Sequence, residues 1–294
     1  MTIIVVGDLV TDVLVAHGGP IELGSDTAAA ITVGGGGQAA NTAAWLAHTS
    51  PPVTLIAAVG DDAAGRERVA ELTAAGVRCA VRAHSGEVTG SVVVLAGPEE
   101  RTMITDRGAA LLLDPADVRA ELEVTDATHL HLSGYPLLHD GSRPAGLAAL
   151  AAAAERGLTT SVDAASAAPL RSVGARAFLT WVADCDLLLC NADEADVLAG
   201  PAPAAEQAQR LTSHVRNVVV KQGAAGATWA SRDGTVVTVT PSRVPMKDPT
   251  GAGDAFAAGL LAAWCAGQEP EAALKAGAAL GAEAVASIGA RPRR

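Results

Sequence analysis

Short β-rich apolar runs alternate with helix-length stretches of alanine, leucine, glutamate and arginine along most of this chain. That alternation dictates a mostly parallel sheet, because parallel neighbours need long crossovers and helices fill them, covering both faces. Expected strands lie at 2–6, 53–59, 129–132, 159–163, 186–190 and 217–220, and expected helices at 38–48, 64–75, 144–156, 175–183, 204–215, 252–265 and 270–287. The fold class is therefore α/β, a doubly wound sheet running through 1–294 as a single domain. Residues 10–33 and about 77–107 break the rhythm with consecutive strand-like runs, which predicts a small β element over the sheet's carboxyl edge, where open α/β folds bind ligands. A further β stretch at 227–240 carries a hairpin turn at 232–235.

Composition narrows the function. With 49% hydrophobic and 18% charged residues, the chain can bury enough apolar surface to offset its ordering entropy. The net charge of −11 argues against nucleic acid as a partner, while leaving room for a small anion at a helix N-terminus. Four cysteines, Cys79, Cys185, Cys190 and Cys265, lack disulfide-scaffold or zinc spacing and suit a reducing compartment. No leader pattern and no 18-residue apolar run occurs, so the expectation is a cytoplasmic protein without membrane contact. The basic end, Arg291 to Arg294, reads as a solvated terminus.

The most informative segment is Lys247-Asp248-Pro249-Thr250-Gly251-Ala252-Gly253-Asp254, running into a helix. Small residues at Gly251, Ala252 and Gly253 let a phosphate approach bare backbone N–H groups at the helix start. Asp254, in the first turn, can face the same point, so a base and an oxyanion clamp share one locus. A plain helix start explains Asp254 as well.

Three other segments stand where strands end. Gly34-Gly35-Gly36-Gly37 leads into Gln38 and Asn41, an amide able to donate and accept on a polyol, or else a flexible loop. The same glycines fit a loose dinucleotide fingerprint, Gly34-x-Gly36-x-x-Ala39, which suggests an oxidoreductase, although the first sheet strand ends far upstream. Asn191 and Glu194 are hard oxygen ligands suited to the water shell of Mg²⁺, or an ordinary helix cap with acids in its first turn. Lys221, Gly223 and Gly226 put a cation beside glycine-permitted backbone. Asp8 and Asp12 follow the first strand as sugar-hydroxyl acceptors or loop caps. His129 and His131 share a strand face without further ligands, so no metal is assigned to them.

Taken in this order, the segments resemble the ribokinase-like, or PfkB, family of carbohydrate and nucleoside kinases over nearly the whole chain. The N-terminal signature looks like Gly36-Gly37-Gln38-Ala39-Ala40-Asn41 running on to Ser50, Gly60, Asp62 and Gly65. The C-terminal one looks like Asp248 to Asp254. The resemblance implies an ATP- and Mg²⁺-dependent kinase with Asp254 as base and Gly251, Ala252 and Gly253 as anion hole. It implies Asp12, Gly36, Gly37 and Asn41 as acceptor binders, and Asn191, Glu194, Lys221, Gly223, Gly226 and Thr250 as nucleotide and magnesium support. It also implies an adenine wall at 276–289, a K⁺ site through Asp248, and that the small β element is a lid through which a homodimer pairs. Sugars or sugar derivatives are the implied acceptors, and nucleosides the alternative. Departures at Val10, Ser133 and within the glycine loop set ribose apart. Arg107 lies near where some relatives read an acidic sugar, and reads equally as solvated.

Overall fold

In a computed structural model of the chain, residues 1–49, 51–97, 101–241 and 244–293 are described, Arg101 by its backbone alone. Ser50 of the N-terminal signature, residues 98–100 of the inserted β region and Arg294 lie outside them.

The central sheet has nine strands, in the order Val236–Val239, Ala227–Ser231, Asn217–Lys221, Leu187–Asn191, Thr159–Asp163, His129–Ser133, Ile3–Val6, Val53–Gly60 and Arg78–His84. From Asn217–Lys221 to Arg78–His84 all pairings are parallel, and the last two strands append an antiparallel hairpin. Side-chain alternation builds two cores from one sheet. Ile4 and Val6 point to the layer holding Leu130, Leu132, Phe178 and Leu188, whereas Ile3 and Val5 point to the layer of Trp45, Leu55, Phe256 and Leu261. Each such fully buried aliphatic side chain contributes about 1.5–3 kcal/mol, so continuous apolar strands are stable only when helices cover both faces.

A second sheet of four strands, in the order Ala29–Gly36, Val10–His17, Thr89–Ala96 and Arg101–Gly108, is the expected small β element. Its membership differs at one place: residues 78–84 were expected in it, but Arg78–His84 pairs in parallel with Val53–Gly60 and forms the edge of the large sheet. The strand follows the helix Ala63–Ala74, so it completes an ordinary crossover unit rather than an insertion.

Helices Gln38–His48 and Ala252–Cys265 have the bounds that the sequence pattern predicts, and the remaining expected helices are two or four residues shorter or shifted by one. Helices Pro115–Val124, Tyr135–Leu138, Ala167–Val173 and Ala192–Ala199 go beyond that reading. The C-terminal ends of the parallel strands lie along one edge of the sheet, where Ser133, Asp163, Asn191 and Lys221 are the last strand residues. That edge builds the site.

Candidate active site

Parallel strands deliver polar side chains to one edge, and helix N-termini deliver unpaired N–H groups to the same place. A cavity of about 690 Å³ opens there, between the strand ends and helices Ala252–Cys265 and Pro270–Val285. One wall carries Asp163, Asn191, Glu194 and Lys221, and the opposite wall Ala252, Gly253 and Asp254. Its apolar lining is Val244, Met246, Phe256, Ala278, Ala282 and Val285, which suits a flat ring.

Asp254 is held by the neighbouring helix Gln38–His48. Asn41 Nδ2 donates to its Oδ2 at 3.0 Å. Enclosure pushes the Asp254 carboxyl up to about 8, with Asp163 and Asp8 adding to the rise and the Asn41 hydrogen bond and Lys221 opposing it. Lys221 Nζ sits 2.5 Å from Asp163 Oδ2. Burial disfavours the Lys221 charge, yet the Asp163 and Glu194 carboxylates outweigh it and hold the ammonium above the ordinary lysine value.

Asn191 and Glu194 form a reciprocal cap on Ala192–Ala199: Glu194 N–H donates to Asn191 Oδ1 at 2.9 Å, and the Asn191 backbone N–H donates to Glu194 Oε2 at 2.8 Å. Asn191 Nδ2 adds a bond to Oε1 at 2.7 Å. The local capping reading of this pair is therefore correct, and the cap also presents Glu194 to the cavity. Burial and the Asp163 charge push Glu194 up to about 7, against Lys221 and the Asn191 N–H.

Glycines that look alike in sequence do different things. Gly251 has φ 74°, and a Cβ there would collide with Ala290 O, so the backbone itself demands glycine. Gly253 is exposed, and a Cβ on it would meet only Lys221 Nζ, 3.7 Å away. In the early run, Gly34 faces open space, whereas beside the next three glycines lie the chain's own atoms: the Arg291 guanidinium at Gly35, the Asp12 carboxylate at Gly36 and the Asp8 carbonyl at Gly37. The run ends a strand of the small sheet rather than a central parallel strand, so the fingerprint lacks the sheet strand it needs. The dinucleotide reading fails on that topology.

Asp12, Gly36, Gly37 and Asn41 border the cavity from the side of the small sheet without lining it; Asn41 connects them to Asp254. Gly223 and Gly226 flank the cavity mouth, and Gly226, at φ 104°, is pressed against Val239 O. Asp248 and Thr250 brace the loop instead: Asp248 Oδ1 accepts from Thr250 N at 2.9 Å and Thr250 Oγ1 at 2.5 Å, and Oδ2 accepts from Gly289 N at 2.9 Å.

Two arginines depart from a solvated reading. Arg107 is nine-tenths buried, donates to Asp8 Oδ2 at 3.0 Å and lies 3.6 Å over the Tyr135 ring. Arg291 donates to Asn41 Oδ1 at 3.1 Å, to the Gly36 carbonyl at 3.1 Å and to Glu71 at 3.3 Å. Gln38 and Asp163 were also missed as site residues. Gln38 Nε2 donates to Asp163 Oδ1 at 3.0 Å and its Oε1 accepts from Ser133 at 2.6 Å, which ties the two sides of the edge together. Asp163 carried a usable signal, since it ends a buried strand as Asn191 does.

The sequence profile of the pfkB family of carbohydrate kinases matches residues 2–293. The chain belongs to that family. As a pfkB-family kinase it is 32% identical over 262 residues to an ATP-dependent ribose-1-phosphate kinase of Halopiger xanaduensis, covering 87% of this chain and 82% of the relative. It is 26% identical over 282 residues to an adenosine kinase of Schizophyllum commune, covering 88% and 81%. Among solved structures, the adenosine kinase of Sinorhizobium meliloti superposes with a TM-score of 0.87 at 22% identity, over 99% of this chain and 95% of that one. An Escherichia coli protein assigned as ribokinase II, solved with ATP and Mg²⁺, gives 0.85 at 24% identity, over 98% and 94%. These structures share the fold of this pfkB-family protein, the small sheet included. Among the described residues, no helix is long and apolar enough to cross a membrane.

Proposed function

We propose that this pfkB-family protein transfers the terminal phosphoryl group of ATP to a hydroxyl, most simply a primary one, of a small sugar or sugar derivative, with Asp254 as the base. The observation that carries the reading is the convergence of Asp254, the bare amide of Gly253 and Lys221 on one cavity.

The chemistry asks for position and charge more than for a strong base. The acceptor oxygen attacks the terminal phosphorus, the bond to the bridging oxygen of the leaving diphosphate breaks, and the hydroxyl proton passes late to Asp254. An Asp254 carboxylate aligned by Asn41 holds that hydroxyl in line. The N–H groups at the start of Ala252–Cys265 and the Lys221 ammonium take up charge that grows on the transferred oxygens. The apolar lining formed by Val244, Met246 and Ala278 receives the base, and the small sheet excludes water as a competing acceptor.

The donor set agrees with magnesium held mostly by phosphate oxygens and water: among the described residues no three His, Cys, Asp or Glu groups are placed to hold a metal ion together, and Glu194 offers one carboxylate to the cavity. When bound, the ion would neutralise phosphate charge through water on Glu194. Asp248, beside the helix start, remains the proposed contact for K⁺.

A specific observation widens the acceptor class. Arg107 is buried beside Asp8 with its Nε unpartnered, so donors remain beyond the one spent on Asp8. That suits an acceptor bearing a carboxylate or phosphate, and the Halopiger relative is named for a sugar phosphate.

The test is an ADP-release screen over pentoses, hexoses, keto-sugar acids, ribose 1-phosphate and nucleosides, with Mg²⁺ and with or without K⁺. Phosphorylation of a sugar or sugar derivative supports the reading, and a response confined to nucleosides replaces it with the alternative. Loss of activity on anionic acceptors alone in Arg107→Met would assign Arg107 to their recognition. Turnover of Asp254→Asn equal to wild type would remove Asp254 as the base.

A further inference from the structure

Asn41 is an amide between two partners of opposite demand. Arg291 has only donors, so the Asn41 atom facing its Nε at 3.1 Å must be Oδ1. Nδ2 is thereby turned to Asp254 Oδ2, at 3.0 Å. Without Arg291 only Asp254 selects the orientation: its carboxylate still calls for Nδ2, but its protonated form can donate to Oδ1 of a flipped amide and is then stabilised instead.

Arg291 is itself over-determined. Its guanidinium lies across Gly35, where a Cβ would collide with it, and a second nitrogen donates to the Gly36 carbonyl. Glu71 bridges it to the buried Arg68, taking Arg291 on Oε2 and Arg68 on Oε1 at 2.8 Å. Burial lowers Arg291 to about 10, with Glu71 and Asp12 opposing and Arg68 assisting, so it stays charged throughout the working range. Nearby, Trp45 Nε1 donates to Ala290 O at 2.9 Å and anchors the segment.

We infer that Arg291 is a positioning residue for phosphotransfer: by locking the Asn41 amide it commits Asp254 Oδ2 and leaves Oδ1 to meet the acceptor hydroxyl. The inference rests on the reading of Asp254 as the base. The hydrogen bond from Asn41 favours the ionised carboxylate, as does Lys221, whereas enclosure, Asp163 and Asp8 disfavour it. Losing the lock therefore moves the ionisation of Asp254 upward.

The experiment is the pH profile of kcat/KM, with Tm alongside. In Arg291→Met the acidic limb moves up by about one unit, a tenfold loss below the limb, while turnover well above it returns to within about threefold of wild type. Arg291→Lys, which keeps the charge and one donor, lies between. Asn41→Ala gives a comparable shift, and adding Arg291→Met to it produces no further displacement. Glu71→Gln lowers Tm and leaves the limb in place. A uniform loss at every pH with an unmoved limb in the Arg291 variants makes Arg291 a structural brace and overturns the inference. So does an Arg291→Met shift that persists undiminished on Asn41→Ala. Full activity of Asp254→Asn would instead remove the base itself, a failure of the underlying reading that is separable from this one.

Discussion

A methyl group built on Gly253 would meet nothing of the protein nearer than Lys221 Nζ, at 3.7 Å, although two residues earlier the same atom on Gly251 would strike Ala290 O. The fold thus demands one glycine and tolerates loss of the other.

Gly253→Ala is expected to keep or raise Tm, since alanine is the better helix former by up to about 1 kcal/mol. Turnover should fall by two orders of magnitude or more, because the new methyl occupies the face proposed for phosphate; Gly253→Val should weaken nucleotide binding as well. Gly251→Ala should instead lose about 1–3 kcal/mol of stability from strained backbone and collision. Thermal melts and nucleotide titration of the pair check this, and a Gly253→Ala protein with normal kinetics would reject the anion hole.

The Asp163 charge pushes the Asp254 pKa up, and Asp163 at the same time pairs with Lys221 at 2.5 Å, the cation that pulls it down. Asp163→Asn removes a like charge and releases a cation, and both effects lower Asp254 from about 8 toward the ordinary carboxylate range. The acidic limb of kcat/KM should move down by about one unit, equivalent to about 1.4 kcal/mol. An upward or absent displacement would contradict the electrostatic account. The measurement is a kcat/KM profile from pH 5 to 9, which reports the free enzyme.

The same carboxyl sets a stability gradient. Asp254 titrates near 3.9 in an unfolded chain and at about 8 when folded. Below the unfolded value both states are protonated and nothing is lost. As pH rises toward 8 the unfolded chain sheds its proton first, so stability declines across that window. Asp254→Asn should therefore match wild type near pH 4 and exceed it at pH 8, each 1 kcal/mol raising Tm by about 2–4 °C. Glu194, raised to about 7, contributes in the same direction. Equal Tm values at pH 8 would contradict the gradient.

What could be read in advance follows a physical division. Strands such as Thr159–Asp163 and helices such as Gln38–His48 carry their own periodicity, and Asn191, Lys221 and Asp254 stand at positions that local rules single out, at the end of a strand or inside a helix start. Pro115–Val124 escaped because only Val118 and Leu122 are buried, too few for a pattern, although Asp114 caps it and Pro115 opens it. Arg291 could not be found locally at all. Its partner Asn41 lies 250 positions away, and a run of Arg-Pro-Arg-Arg at a chain end reads as solvated until the fold closes over it. The protein contacts of the glycine run were equally hidden, for Arg291, Asp12 and Asp8, which lie against Gly35, Gly36 and Gly37, come from elsewhere in the chain.

The small sheet has one further consequence. Val33, Val13, Val93 and Ile104 stand side by side in register across its four strands, and the outer two are 64% and 58% exposed. Ile31 extends this outer face, at 63%. Leu14 and Val94, pointing the other way, pack with Val10, Val92 and Ala110 as a separate cluster. An apolar row of this kind on both edge strands is costly in water, and pairing it with the same row of a second copy buries it without any new residue type. The protein is expected to run as a dimer of its 29.3 kDa chain in light scattering. Val33→Asp with Ile104→Asp should return it to a monomer without lowering the Tm of the large sheet. A wild-type monomer at tens of micromolar, or a dimer indifferent to both charges, would rule out this face as the contact.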